Sequence, residues 1–211
     1  IGNGMSSRAV IRKGQRRFLL HTMSAGQAFT VLNEENKQLR DATLWMAGHT
    51  YETDREGRLV VPFSTSPGQQ QVVITHDGWS SLHTFSHEGE SYELTAGIYV
   101  DRESLRQHGK SMVIVRSGLN LNGHAIGLSA LENVRMTITS TDLDGIQSSQ
   151  EIADFGLSMD RESTHEFHVP SRLANLHIGV RANVKQLSTG KDINLSADQS
   201  FAVNEIDRTA H

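Results

Sequence analysis

The side chains best suited to chemistry are 11 histidines and one acid-rich stretch, so the first question is whether their spacing can hold a metal ion. His83 and His87, with Glu88 and Glu90 close behind, fall on one face of a strand, because an even spacing preserves side. At about 3.3 Å per residue they would stand roughly 13 Å apart, too far to share one ion. Only a turn or a helix between them would close that gap. His165 and His168 have odd spacing and project from opposite faces of an expected strand over 164–169. No H-E-x-x-H or comparable ligand spacing occurs, so solvated or hydrogen-bonded histidines are the expectation.

The acid-rich stretch is Ser140-Thr-Asp142-Leu-Asp144-Gly145-Ile-Gln-Ser-Ser-Gln-Glu151, which fits positions 3, 5, 6 and 12 of a calcium-binding helix-loop-helix motif. Asp142, Asp144 and Glu151 are the calcium candidates. Ser140 stands where the first aspartate belongs, and the preceding segment reads as a strand instead of a helix. The simpler reading is a β-hairpin whose Asp-Leu-Asp-Gly uses good turn residues. Trp45 and Trp79 suggest a third chemistry, stacking on sugar rings, although two tryptophans make a small platform. Trp79, after Asp77-Gly78 at a strand end, is expected to pack on the sheet or its rim.

Catalytic motifs are not found. Gly127-Leu-Ser129-Ala lacks the second glycine of a nucleophile elbow, and Gly2-Asn-Gly4 is a two-glycine fragment with no strand before it. The absence of cysteine rules out disulfides, thiolate metal sites, a cysteine nucleophile and an internal thioester within these residues. The residues therefore imply no enzyme, no catalytic residue and no cofactor. A net charge of −4 with both signs interspersed provides neither a basic stripe for nucleic acid nor a polybasic membrane patch. Hydrophobic residues at 36% and charged residues at 21% are a globular balance.

The elements that must carry these side chains are strands. Val134-Arg-Met136-Thr-Ile138 and Leu176-His-Ile178-Gly-Val180-Arg-Ala182-Asn-Val184 alternate apolar and polar, the two-residue period of half-buried strands. Shorter β-branched runs occur at Arg58 to Phe63, Gln71 to Thr75 and Met112 to Val115. Turn chemistry punctuates them at Asp54-Arg-Glu-Gly57, Ser66-Pro67-Gly68, Asp77-Gly78, Asn122-Gly123 and Asp144-Gly145. Asp101 to His108 is the best helical stretch, one or two turns long, and it is also the expected domain boundary. The expected fold is all-β: two consecutive antiparallel β-sandwiches over 1–100 and 101–211, with roughly seven strands each.

Within Thr30 to Phe63, Asn33, Leu39 and Ala42, followed by Thr53, Asp54, Gly57, Leu59 and Pro62, form a pattern that resembles the carboxypeptidase-regulatory-like, or transthyretin-like, module. Val72 to Trp79 resembles its following strand. Asn36, Gln38 and Asp41 depart from the family's glycine- and proline-rich first turn. Tyr99, Asp101, Leu105, Gly109 and Val113 are similar to the entry into macroglobulin-like, immunoglobulin-like sandwiches of the bacterial alpha-2-macroglobulin type, with Leu105 and His108 replacing tyrosine and proline. Together these resemblances imply a non-enzymatic structural or protein-interaction module in a larger extracytoplasmic protein. Its partners would be other domains of the parent and a further protein, with neither nucleic acid nor membrane insertion. The setting would be periplasmic, cell-surface or secreted, directed by a signal outside this stretch. A carbohydrate- or calcium-binding adhesin-type module is the alternative.

Overall fold

The computed structural model describes residues 16–106 and 109–203. Gly2, Gly4 and His108, singled out above, lie outside the described residues. The chain divides into two compact units, Ile1–Gly89 and Glu90–His211.

The first unit holds β1 (Arg17–Met23), β2 (Gly26–Leu32), β3 (Thr43–Met46), β4 (His49–Glu52), β5 (Arg58–Val61), β6 (Gly68–His76) and β7 (Trp79–His87). All pairings are antiparallel and form two sheets, β1-β2-β5 and β4-β3-β6-β7. Alternate residues turn inward: Phe29, Val31, Leu59 and Val61 from one sheet, Leu44, Val72, Ile74 and Phe85 from the other, each at most 4% exposed. Phe29 meets Phe85 edge-on, with ring centroids 4.9 Å apart. Gln27 is fully buried, so its amide needs partners. It finds them at the end of β7, donating from Nε2 to Ser86 O at 3.0 Å and accepting the Glu88 N–H on Oε1 at 2.9 Å.

One turn recurs and explains much of the sequence's punctuation. At Asn33, Asp54 and Asp142 the side-chain Oδ1 accepts the backbone N–H groups two and four residues on, at 2.8–3.0 Å. In each case the backbone N–H of the fourth following residue's neighbour, three residues on, returns to the carbonyl of the first residue, through Asn36, Gly57 and Gly145. Those three have φ of 61°, 76° and 82°, the left-handed region that glycine or asparagine enters most readily. The departure of Asn36 from the glycine pattern thus leaves the turn intact.

The second unit holds β8 (Tyr92–Val100), α1 (Arg102–Arg106), β9 (Lys110–Leu121), β10 (His124–Ile126), β11 (Leu131–Asp142), β12 (Gln147–Ala153), β13 (Ser163–His168), β14 (Leu173–Lys185) and β15 (Asp192–Ala202). One sheet is centred on β9, which pairs with β8, β10 and β13; the other runs β12-β11-β14-β15. Val113, Val115, Leu119, Met136, Leu176, Ile178 and Val180 form the centre of its core. The division at Gly89 and Glu90 comes earlier than the expected boundary between residues 100 and 101. The physical reason is that β8 pairs with β9 along its whole length, from Tyr92↔Leu121 to Val100↔Val113, and so belongs to the second sandwich. Of the short helix expected over 101–108, the described part, Arg102–Arg106, lies within that unit, not between the two.

Glu90 anchors the β14–β15 turn. Its carboxylate accepts the Leu187 N–H at 2.9 Å, the Ser188 N–H at 3.1 Å, the Ser188 hydroxyl at 2.7 Å and, more distantly, the Tyr92 hydroxyl at 3.4 Å. Burial, followed by the Glu90 charge, pushes the Tyr92 pKa up to about 12. No helix of the described residues is long and apolar enough to cross a membrane.

Two predictions follow from this packing. Glu90→Ala strands four donors and is expected to lower stability of the chain by about 2 kcal/mol in urea denaturation. Burial also lowers the His83 pKa below its ordinary 6.5. The folded state then binds the proton less readily than the unfolded one, so stability is full above pH 6.5 and declines as pH falls through the window below it. Melting temperatures of wild type and His83→Gln between about pH 8 and pH 5 should converge on the acid side as the variant loses that slope.

Candidate interaction surface

The residues expected to do chemistry are used structurally. His83 and His87 do share a face of β7, but they have separate partners: His83 Nε2 lies 2.9 Å from Ser81 Oγ and its ring packs edge-on against Phe18, while His87 Nε2 lies 2.8 Å from Pro62 O. His165 turns inward and His168 outward on β13. The calcium candidates do not converge. Asp142 spends Oδ1 on the turn, Asp144 Oδ1 accepts from Arg172 Nη2 at 2.9 Å, and Glu151 sits opposite Thr137, well along the β11–β12 ladder. Trp79 departs from the expected packing: it is 69% exposed, because its pair with His76 is the last of the β6–β7 ladder and overhangs the sheet end. Trp45 is 50% exposed on the outer face of β3.

Sequence reasoning missed one cluster. Asp41, His76 and Asp77 bring one ligand atom each to within 4.8 Å. Asp41 Oδ1 lies 2.8 Å from His76 Nε2, and Asp77 Oδ2 lies 3.4 Å from Nδ1 on the other side of the ring. The carboxylates face opposite nitrogens, so together they orient the imidazole. The adjacent His76-Asp77-Gly78 text was a local signal; Asp41 arrives only through the Thr43↔Thr75 register.

The feature that best fits recognition of another molecule is the outer face of the β9 sheet. Tyr99 on β8 pairs with Ile114 on β9, which pairs with Thr164 on β13. Met112 lies two residues along β9 on the same face. Tyr99 is 60% and Met112 48% exposed. Charged pairs border this apolar centre. Lys110 Nζ contacts Glu166 Oε1 at 2.5 Å on one side, and Arg116 Nη2 reaches Glu162 Oε1 at 3.8 Å on the other. The Lys110 hydrogen bond, together with its charge, holds the Glu166 carboxyl below the usual carboxylate range. An aromatic and a methionine inside a charged rim have the composition of a protein-recognition patch.

The family model of the AbpF third immunoglobulin-like domain matches residues 101–209. That is just over half of the 211 residues. The chain belongs to the AbpF third immunoglobulin-like domain family. The match begins at α1 and continues through β15, so the β9 patch lies largely inside it. Actin-binding protein F of Dictyostelium discoideum is 32% identical over 217 residues, an alignment covering 99% of this chain and 9% of that protein. The chain therefore spans less than a tenth of that relative's length. Among solved structures, the three N-terminal domains of the bacteriophage RB49 Highly Immunogenic Outer Capsid protein (Hoc) align over 90% of this chain and 63% of theirs, at 7% identity and a TM-score of 0.31, too low to bear on function.

The comparisons correct the expected setting. A periplasmic, cell-surface or secreted location is overturned by a relative named for binding actin, a cytoskeletal protein. The immunoglobulin-like family supports the all-β sandwich fold.

If Asp142 is a turn residue, Asp142→Ala should lower stability by about 1 kcal/mol through the two lost N–H contacts. Addition of about 1 mM calcium should leave the melting temperatures of both proteins unchanged, as read by scanning calorimetry.

Proposed function

We propose that this chain is a non-enzymatic protein-interaction module of a larger cytoplasmic actin-binding protein, and that it contacts its partner through the outer face of the β9 sheet. The observation that carries the reading is the exposed Tyr99 and Met112, together with the half-buried Ile114, between the Lys110–Glu166 and Arg116–Glu162 pairs. Such a patch removes apolar surface from water on docking while its charged rim sets orientation. The similarity to Actin-binding protein F suggests the partner to try first, filamentous actin.

The finer assignments of the two sandwiches are also proposals. A transthyretin-like first unit is supported by the Asp54–Gly57 hairpin, the inward Ala42 and the position of Pro62 just after β5. For a macroglobulin-like variant of the second, the support is the Tyr99, Asp101, Leu105, Gly109 and Val113 pattern alone.

Cosedimentation with filamentous actin tests the functional reading. Tyr99→Ala and Met112→Ala should each weaken pelleting by about tenfold, the loss typical of an interface anchor. Both side chains are exposed, so melting temperatures should remain near wild type. Pelleting that is absent in wild type, or unchanged in both variants, would remove this surface from the reading.

A further inference from the structure

Sheet edges carry unpaired backbone donors and acceptors, and proteins ordinarily blunt them with charge, proline, bulges or short length. Every other edge strand among the described residues contains a Lys, Arg, Asp or Glu, except β10, which has 3 residues. β7 has none. Its nine residues, WSSLHTFSH, contain no proline, and its ladder with β6 runs without a register shift from Gly68↔His87 to His76↔Trp79. β6 is its only partner among the described strands.

The buried Gln27 identifies which backbone groups of β7 face outward. Its amide bonds Ser86 O and the Glu88 N–H, imitating a neighbouring strand at that end. In an antiparallel ladder a residue's N–H and C=O point the same way and alternate along the chain. Ser80, Leu82 and Thr84 therefore direct theirs away from β6, beyond the reach of the Gln27 cap. The side chains of these residues lie on the outer face. There Leu82, 64% exposed, is in register with Val73 and then with Trp45, 50% exposed.

We propose that Ser80–Thr84 is a homotypic docking edge, through which two copies of this chain pair their β7 strands antiparallel. The segment is self-complementary about its centre. Leu82 meets Leu82 of the second copy, Ser80 meets Thr84, and no like charges are opposed. Pairing would extend the Trp45–Val73–Leu82 row across both copies, covering apolar side chains that each copy alone leaves in water. Few residues take part, so the interface is smaller than a standard one and belongs with weak, transient contacts.

Sedimentation equilibrium of the intact chain from about 10 μM to about 1 mM tests this, combined with amide exchange at Ser80, Leu82 and Thr84. The expected result is a monomer–dimer equilibrium with protection of those amides that rises with concentration. Two variants spare the fold. Leu82→Lys alters an exposed side chain and opposes two charges at the centre; Thr84→Pro removes an N–H that β6 does not use. Each should weaken association at least about tenfold. A chain that remains monomeric throughout overturns the proposal, whatever other strand the edge then accepts. So does association that neither variant weakens.

Discussion

The register of the antiparallel hairpins is the constraint on which the rest of this molecule depends. Side chains alternate with a period of two, so a slip of one residue would turn every buried face outward. The chain fixes register at several tips with the same device: an Asn or Asp oxygen gathers two backbone N–H groups, and a residue in the left-handed region completes the reversal. Asn33, Asp54 and Asp142 do this in different sheets and in both units. At Asp54 the backbone N–H of Arg58 is the first cause of a carboxyl held below its usual range, with the Arg58 guanidinium adding to it.

Once register is set, each strand contributes one face to a core and leaves the other outside. In the first unit this buries Phe29, Leu44 and Phe85 and exposes the Trp45–Val73–Leu82 row. In the second it buries Val113 and Val115 and presents Met112 and Ile114. The exposed apolar surfaces are thus the complement of the cores. Their chemistry is non-covalent: apolar side chains, hydroxyls, paired charges and open backbone groups, all suited to recognition.

Buried polar groups show the same economy. Gln27 and His87, with the half-buried Glu90, each tie one strand or turn to another segment of their own unit. The Asp41–His76–Asp77 group, which has the residue types of a metal site, divides its carboxylates between the two ring nitrogens. That arrangement sets a carboxylate on each side of the ring, with Asp41 close to Nε2 at 2.8 Å and Asp77 further from Nδ1 at 3.4 Å.

The sequence by itself determined the class of the fold. Alternation in Val134–Ile138 and Leu176–Val184 was legible because the strand period is local, and the Asp54–Gly57 and Asp142–Gly145 turns because their hydrogen bonds span only four residues. It also revealed the short helix after Asp101 and the shared face of His83 and His87. Only the tertiary structure decided that β8 belongs with β9, since that choice rests on pairing between separate segments. For the same reason it alone brought Asp41 to His76, left Trp79 in solvent, and set Tyr99 beside Ile114 in a single exposed patch. Which face a strand presents is written in its own alternation, but which neighbours share that face is settled by register and sheet order, and these depend on the whole chain.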